Sequence, residues 1–361
     1  MKALRLALLG FGTVGQWLAE ALHTRRAWLQ QEYGVAVTLT SVGTRRYGLI
    51  SRREGLDIPT LLDLVATRQP LTAHPAVTHW TNILEGLQAT SGDVLAEATG
   101  ATLRSGGEPG LSYIRAALAQ GMHVVTASKG PMALAGLELL SLARKQGVQL
   151  RMESTVMSGT PVLSTMREGM AGTSIRALRG ILNGTANSIL SAMALGQTYA
   201  EALAQAQAQG YAEADPSDDV EGDDAVAKTL ILAAAVFGSA LAPSQVVREG
   251  ITTITSEQIQ RAVDQGSRIK HVASLRLLSP DGREVSRATA DSGTVHTHLE
   301  ARVEPIALPL SDPLARIEGL LNAIHIQTDT PLEVTVIGPG AGRFQAGQGM
   351  LADLIAIAKA L

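Results

Sequence analysis

Cysteine is absent from all 361 residues. That excludes disulfides, thiolate zinc sites and any mechanism that passes through a cysteine thioester. Aromatic residues are scarce, 3% of a chain that is 45% hydrophobic. The core must then be assembled from Ala, Leu, Val and Ile, which suits helices packed on a sheet better than an aromatic-rich sandwich. Excess positive charge is missing too: the net charge of −3 supplies no basic face for nucleic acid. No apolar run reaches the ~18 residues of a membrane-crossing helix. The opening MKALRLALLGFGTVG leads straight into a glycine turn, without the longer apolar region and cleavage site of a signal peptide. A cytoplasmic protein of about two domains is expected, acting on neither membrane nor nucleic acid.

The stretch Gly210 to Phe237 is the most unusual thing present. Its first half is acidic, with Glu213, Asp215, Asp218, Asp219, Glu221, Asp223 and Asp224 close together. Ala225 to Phe237 is apolar or small except for Lys228 and Thr229. Either Asp223 or Asp224 is a natural N-cap for a helix that is apolar on nearly all sides, and such a helix is buried. Lys228 therefore needs a partner or a lowered pKa, and Asp224 stands one turn earlier on the same face. A surface ion pair with the lysine reaching out to water is the plain reading. The apolar surroundings favour a site instead, in which the lysine and carboxylates hold a zwitterionic substrate and supply a proton.

At the N-terminus, Leu4 to Leu9 reads as a buried parallel strand and Gln16 to Gln31 as a helix. Between them lies Gly10-Phe11-Gly12-Thr13-Val14-Gly15, the strand–glycine turn–helix order of a dinucleotide-binding fingerprint. The first glycine makes the turn, the second admits the pyrophosphate, and the third packs helix on strand, with phosphate at the helix N-terminus. The second strand, Val35 to Val42, ends in Gly43-Thr44-Arg45-Arg46 with no carboxylate for a ribose hydroxyl. Arginine there, Arg45 first, suits a 2′-phosphate, which favours NADP over NAD unless both arginines merely decorate a loop. A helix is expected over 56–66, a strand over 93–98 with Thr99 and Gly100 on the cofactor side, a helix over 110–120 and a strand over 123–126. Lys129 follows that last strand on the ligand side. A helix over 133–146 and a strand over 149–152 complete the series.

After Glu153 the pattern changes. Helices are expected over 162–170, 188–195, 199–209 and from Asp312-Pro313 to 323. Antiparallel strands are expected over 176–182, 269–278, 295–303 and 332–337. Gly338-Pro339-Gly340-Ala341-Gly342 is glycine-rich enough to approach a cofactor again, and a helix over 349–361 follows. The fold class is thus α/β, a Rossmann-type doubly wound sheet plus an α+β substrate and dimerisation domain. Residues 1–152 and 338–361 form the dinucleotide-binding domain, and 153–337 the second.

Several blocks together carry a resemblance. GFGTVG at 10–15, TASKG at 126–130, ESTVMSGTP at 153–161, GILNGTANSIL at 180–190, GYAEADPSDDVEGDDAVAK at 210–228 and GPGAG at 338–342 resemble homoserine dehydrogenases, in order and over nearly the whole chain. The resemblance implies reversible NAD(P)H-dependent reduction of L-aspartate 4-semialdehyde to L-homoserine, on the route to threonine and methionine. By matched position it implies Lys228 as proton donor, Glu213 and Asp224 as substrate-binding residues, and Lys129 between nicotinamide and substrate. It also implies a monovalent cation, Na or K, held by main-chain oxygens of Glu153, Val156, Ser158 and Thr160, and a homodimer formed through the second domain. Two departures stand out. Ser128 replaces the Asn of the usual TANKG, and 361 residues leave no room for the regulatory extension of larger members, so threonine feedback through it is not expected.

Reducing an aldehyde leaves negative charge on its oxygen, which Lys228 or Lys129 can stabilise and protonate. Aspartate-semialdehyde dehydrogenase, close by pathway, needs an acyl-cysteine and is excluded. Two alternatives are a lysine-using reductase of imines and a non-catalytic dinucleotide sensor. His296 and His298 alternate on one strand but lack a third ligand or an H-E-x-x-H helix, so a metal hydrolase fits poorly.

Overall fold

The strand that opens the chain meets solvent only at Lys2, Ala3 and Arg5. Leu6, Leu8 and Leu9 are fully buried, because parallel neighbours flank the strand on both edges and helices cover its faces. The structure is a computed structural model describing residues 2–90, 92–288 and 297–361. Its described residues divide into two compact units, one ending at Gly159 and resuming at Gly342, the other Thr160–Ala341.

The first unit holds β1 (Lys2–Leu9), β2 (Val35–Thr44), β3 (Gly48–Ser51), β4 (Thr78–Trp80), β5 (Val94–Glu97), β6 (His123–Thr126) and β7 (Leu150–Arg151) in one sheet. Their order is β4-β3-β2-β1-β5-β6-β7. β2-β1-β5-β6-β7 is parallel, and β3 and β4 add an antiparallel edge beside β2. The doubly wound expectation is met, with chain reversal beside β1 placing a ligand crevice at its C-terminal end. Leu6 and Leu8 pack in one cluster with Trp17, Leu18, Leu351 and Leu354.

The helix Arg343–Ala360 belongs to this unit. Phe344 meets Trp17 edge-on at 5.2 Å between ring centroids, and a Cβ on Gly347 would lie 2.1 Å from the same indole. Asp353 Oδ2 accepts the Glu153 N–H at 2.8 Å, and the Ser154 hydroxyl donates to the Ala346 carbonyl at 2.7 Å. These bonds keep 153–159 with the first unit, so the boundary falls later than the expected 152. The second boundary moves the same way because the last strand runs on to Pro339.

The second unit holds β8 (Ile175–Ile181), β9 (Val247–Arg248), β10 (Ser267–Leu278), β11 (His298–Pro309), β12 (Leu321–Thr328) and β13 (Glu333–Pro339). The order β13-β12-β8-β10-β11-β9 is antiparallel throughout except where β9 joins β11. The helices Gly184–Met193, Tyr199–Ala208, Asp223–Phe237 and Ser256–Asp264 accompany the sheet. Thr198 starts one of them with a full capping box to Glu201.

Several expected elements differ: the helix expected over 16–31 is two, Thr13–Thr24 and Arg26–Tyr33, broken at Arg25. From Asp312 the chain makes turns instead of a helix. Asp312 Oδ1 accepts the Leu314 N–H, while its other oxygen takes Arg179 at 2.8 Å. Leu314, Ala315 and Ile317 then bury themselves against Ile181 and Val272, and the segment continues as β12. Apolar spacing alone did not separate such a buried turn from a helix. The helix expected over 162–170 is present over 163–169, with Thr165–Gly169 wound as a π-helix, and a separate short helix stands before it at Ser154–Met157. The strand expected over 295–303 is β11, while residue 295 and His296 lie outside the described residues.

Candidate active site

The glycine turn follows β1 directly. A Cβ on Gly10, whose φ is +94°, would lie 2.2 Å from the Ala98 carbonyl oxygen, and one on Gly15 would lie 2.0 Å from the Gly10 carbonyl oxygen. Both positions are therefore closed to any other residue. Gly12 differs: a Cβ there would meet nothing within 4 Å. Gly12 precedes the helix Thr13–Thr24, which has no side-chain cap and no acidic residue in its first turn. Uncapped amides with open space in front of them fit a pyrophosphate. Phe11 is buried, and Thr13 and Val14 form the first turn of that helix.

Beside the glycine turn and the end of β2 lies a cleft of about 470 Å³, lined among others by Phe11, Thr44, Arg46, Tyr47 and Arg68. Its place matches the adenosine end of a dinucleotide. The Arg46 guanidinium stacks over the Tyr47 ring at 5.2 Å. Of the two arginines at the strand end, Arg46 lines the cleft together with Arg68, while Arg45 is exposed and is not among its lining residues.

At the C-terminal ends of β5 and β6, Glu97 is fully buried. Its Oε1 accepts the Thr99 N–H (2.8 Å), the Thr99 hydroxyl (2.5 Å) and the Ser128 hydroxyl (2.8 Å), and its Oε2 accepts the Thr126 hydroxyl (2.6 Å). Ser128 also accepts the Gly100 N–H at 3.1 Å, and Thr126 accepts the Ser128 N–H at 3.1 Å. One carboxylate thus ties together the turns that carry Thr99 and Lys129. Ser128, the departure from the usual asparagine, is an integral member of this network. Lys129, half-buried, is the first residue of the helix Lys129–Lys145. Sequence reading missed Glu97, although an acidic residue inside the buried strand Val94–Glu97 was a visible signal.

In the second unit the helix Asp223–Phe237 is buried along most of its length. Its N-cap is Gly222 rather than an aspartate, which puts Asp223 and Asp224 in the first turn, where they complement the helix dipole. Gly222 has a φ of +87°, and a Cβ there would press against the His271 ring at 3.0 Å. Lys228 is 5% exposed. Its amine lies 2.8 Å from Asp224 Oδ2 and donates to the Leu182 carbonyl at 2.5 Å. It does not reach out to water.

Asn183 joins a further carboxylate to the pair. Its side-chain oxygen caps the helix Gly184–Met193 by accepting the Ala186 N–H, and its amide donates to Asp224 Oδ2 (3.0 Å) and Asp219 Oδ1 (2.7 Å). Burial pushes the Asp219 carboxyl up from its ordinary range, against the Asn183 hydrogen bond, and the Asp224 charge adds to the rise. Two acids and one amine therefore meet at the mouth of a buried helix. Asp219 stood in the acidic run but was not singled out there; Asn183 stood inside GILNGTANSIL. Glu213 is not brought into this cluster. It is exposed, and its carbonyl accepts the Gln207 side-chain amide.

Glu153, Val156 and Ser158 are buried in the first unit, and Thr160, also buried, opens the second. Ser158 has a φ of +52°, a strained value for a residue with a side chain. Gly340 is held by packing, since a Cβ there would lie 2.1 Å from the Asn322 amide nitrogen. His298 is exposed at the start of β11, and no group of three His, Cys, Asp or Glu able to hold a metal occurs among the described residues.

A doubly wound sheet with a glycine turn, and a second unit carrying a buried lysine among carboxylates, define an NAD(P)-dependent oxidoreductase. The homoserine dehydrogenase family model matches residues 161–355, and the model of that family's NAD-binding domain matches residues 10–153. The chain belongs to the homoserine dehydrogenase family. It is 38% identical to an NAD(+)-dependent homoserine dehydrogenase of Pseudomonas canavaninivorans, over 99% of this chain and 97% of that one. It is 32% identical to a homoserine dehydrogenase of Methanocaldococcus jannaschii, over 98% of each. Among solved structures, a homoserine dehydrogenase from Thiobacillus denitrificans aligns with a TM-score of 0.79 at 29% identity, covering 99% of this chain and 74% of that one. A hyperthermophilic archaeal homoserine dehydrogenase in complex with NADPH aligns with a TM-score of 0.78 at 26% identity, covering 99% and 98%.

Proposed function

We propose that the chain reversibly reduces L-aspartate 4-semialdehyde to L-homoserine, in the cytoplasmic synthesis of threonine and methionine, with Lys228 as the proton donor. The observation that carries this is the buried Lys228 amine, held by Asp224 and the Leu182 carbonyl. When bound, the nicotinamide supplies the hydride. The Lys228 ammonium stabilises the charge that develops on the aldehyde oxygen and gives it a proton. In the oxidative direction the neutral amine takes that proton back. Asp224 orients the amine and, with Asp219, offers carboxylate charge to the substrate's ammonium group; Glu213, on its exposed loop, is the remaining candidate for that contact. Lys129, at the start of its helix, is assigned to the cofactor side of the reaction.

Arg46 and Arg68 at the cleft beside β2, with no carboxylate at the strand end, favour a 2′-phosphate and so NADP. The relative at 38% identity is NAD(+)-dependent, so the two cofactors are compared directly. Homoserine oxidation assayed separately with the two cofactors should give a higher kcat/KM with NADP. A preference for NAD would place Arg46 and Arg68 outside the cofactor's reach. Tight NADPH binding without turnover of either substrate would instead favour a dinucleotide sensor.

Two further features rest on the family resemblance. A monovalent cation at main-chain oxygens of Glu153, Val156, Ser158 and Thr160 gives a reason for the strained Ser158 backbone. Exchange of Na and K for a bulky quaternary ammonium should then lower both Tm and activity, and indifference of both would remove the site. Homodimerisation through the second unit's sheet predicts twice the chain mass in light scattering; a monomer at micromolar concentration would contradict it.

A further inference from the structure

Three polar side chains of the second unit are fully or almost fully buried and take no part in the chemistry above. Lys270, in β10, is 2% exposed, and Asn187 and Asn322 are not exposed at all. The Lys270 amine donates to the Ile317 carbonyl at 2.5 Å and to the Asn187 side-chain oxygen at 3.2 Å, both neutral acceptors. Burial pushes its pKa down to about 8; Glu318 opposes that shift and Arg268 adds to it. A methionine would fill the same volume without the desolvation cost, so the amine is retained for what it holds. Asn187 donates to the carbonyls of Ile317 (3.2 Å), Gly319 (3.0 Å) and Leu321 (3.2 Å). Together the two side chains gather the backbone of 317–321 to one point.

The next residue is Asn322. Its amide donates to the Leu182 carbonyl at 2.7 Å, while its own Oδ1 has no partner among the described residues. Turning the amide over would set oxygen against oxygen at Leu182, so the orientation is fixed. An unsatisfied buried acceptor is costly, and here it accompanies one well-placed donor. The carbonyl that receives that donor also receives the Lys228 amine, at 2.5 Å. Two donors on one carbonyl oxygen fix the plane of the peptide, and with it the direction from which the amine is held.

We propose that Asn322 is a positioning residue for Lys228, acting through the shared Leu182 carbonyl, with Lys270 and Asn187 holding the segment that carries it. The proposal rests on the reading of Lys228 as proton donor. Without Asn322 the Leu182 peptide is free to tilt, and small displacements of a catalytic group are expensive in rate. Loss of the contact should therefore show in the proton-transfer step and not in cofactor binding.

The test is a mutant cycle of Lys228→Ala, Asn322→Ala and the double variant. Each is assayed for homoserine oxidation, for the D2O effect on kcat, for Tm, and for NADPH affinity by fluorescence. Asn322→Ala should lower kcat about tenfold while enlarging the D2O effect, as expected of a misplaced acid–base group. NADPH affinity should stay within about twofold, and the double variant should be no slower than Lys228→Ala alone, since groups acting as a unit are not additive. Wild-type kcat and D2O effect in a folded Asn322→Ala protein, or losses that multiply in the double variant, would overturn the proposal. If Asn322→Ala does not fold, Lys270→Met carries the test by the same criteria, with a smaller effect expected. Wild-type turnover by Lys228→Ala would be a different failure, that of the proton-donor reading itself.

Discussion

A carboxylate with no solvent exposure survives only if donors surround it, and Glu97 has four bonds from three residues. The senses of those bonds are fixed. Thr126 and Ser128 each accept a backbone N–H, which leaves their hydroxyl protons directed at Glu97. Glu97→Gln would aim an amide N–H at one of those protons, so the variant should lose about 1–3 kcal/mol, the scale of a broken buried hydrogen bond. Its urea midpoint checks this, and an unchanged midpoint would mean the network matters less than its geometry suggests. Lys228 is the corresponding residue of the second unit, a buried cation whose charge is met by Asp224. Its pairing was legible in the sequence because the Asp–Lys spacing of one helical turn fixes the face. Asn322 was not legible, since nothing local marks an asparagine whose importance comes from a carbonyl far along the chain.

The glycine turn and the start of its helix can be read from sequence, because strand, turn and helix are contiguous and each glycine has its own steric reason; the break at Arg25 cannot. Gly12 and Gly15 then make opposite predictions. Gly12→Ala meets open space at an ordinary backbone conformation, so stability should change by no more than about 0.5 kcal/mol. Cofactor affinity should nevertheless fall at least about tenfold, because the methyl group blocks backbone approach to the pyrophosphate. Gly15→Ala puts a Cβ 2.0 Å from the Gly10 carbonyl oxygen and should cost about 1–3 kcal/mol before any ligand is added. Thermal melts with and without NADPH separate the two, and equal loss of stability in both would contradict the assignment. Elements whose identity depends on distant packing were harder to read. The turns after Asp312 have helix-like apolar spacing, but the Arg179 pair and the demand of β12 for a place between β8 and β13 decide otherwise. The apolar run marks the helix at Asp223–Phe237 but not its cap, because Gly222 is selected by its positive φ and its contact with His271, which local sequence does not show.

For the chain as a whole, histidines set the response to mild acid. Burial is the first cause that lowers the pKa of His123, of His271 (against its bond to the Glu249 carbonyl) and of His325. In the unfolded chain each titrates near its ordinary value of about 6.5, so below that pH the unfolded state binds more protons. The stability these groups contribute is therefore present above about pH 6.5 and lost as pH falls through their lower folded values. Asp219, whose pKa is raised, works in the other direction, one group against three. Tm should drop between pH 7.5 and 5.5; a flat or rising Tm would show that the histidines are not buried as described. The division into two units was visible in the change of pattern near residue 153, but its exact place was not. It depends on Asp353 reaching back to Glu153, far away in sequence, and on how far β13 pairs with β12 before the hairpin ends at Pro339.

The proposed chemistry depends most on the amine of residue 228. The direct measurement is kcat for homoserine oxidation by Lys228→Ala, taken beside NADPH affinity as a check that the fold and the nucleotide site are intact. A fall of roughly 10²-fold or more in kcat at unchanged NADPH affinity is predicted, the scale of a lost general acid. Turnover at the wild-type rate by a folded, NADPH-binding variant would contradict it.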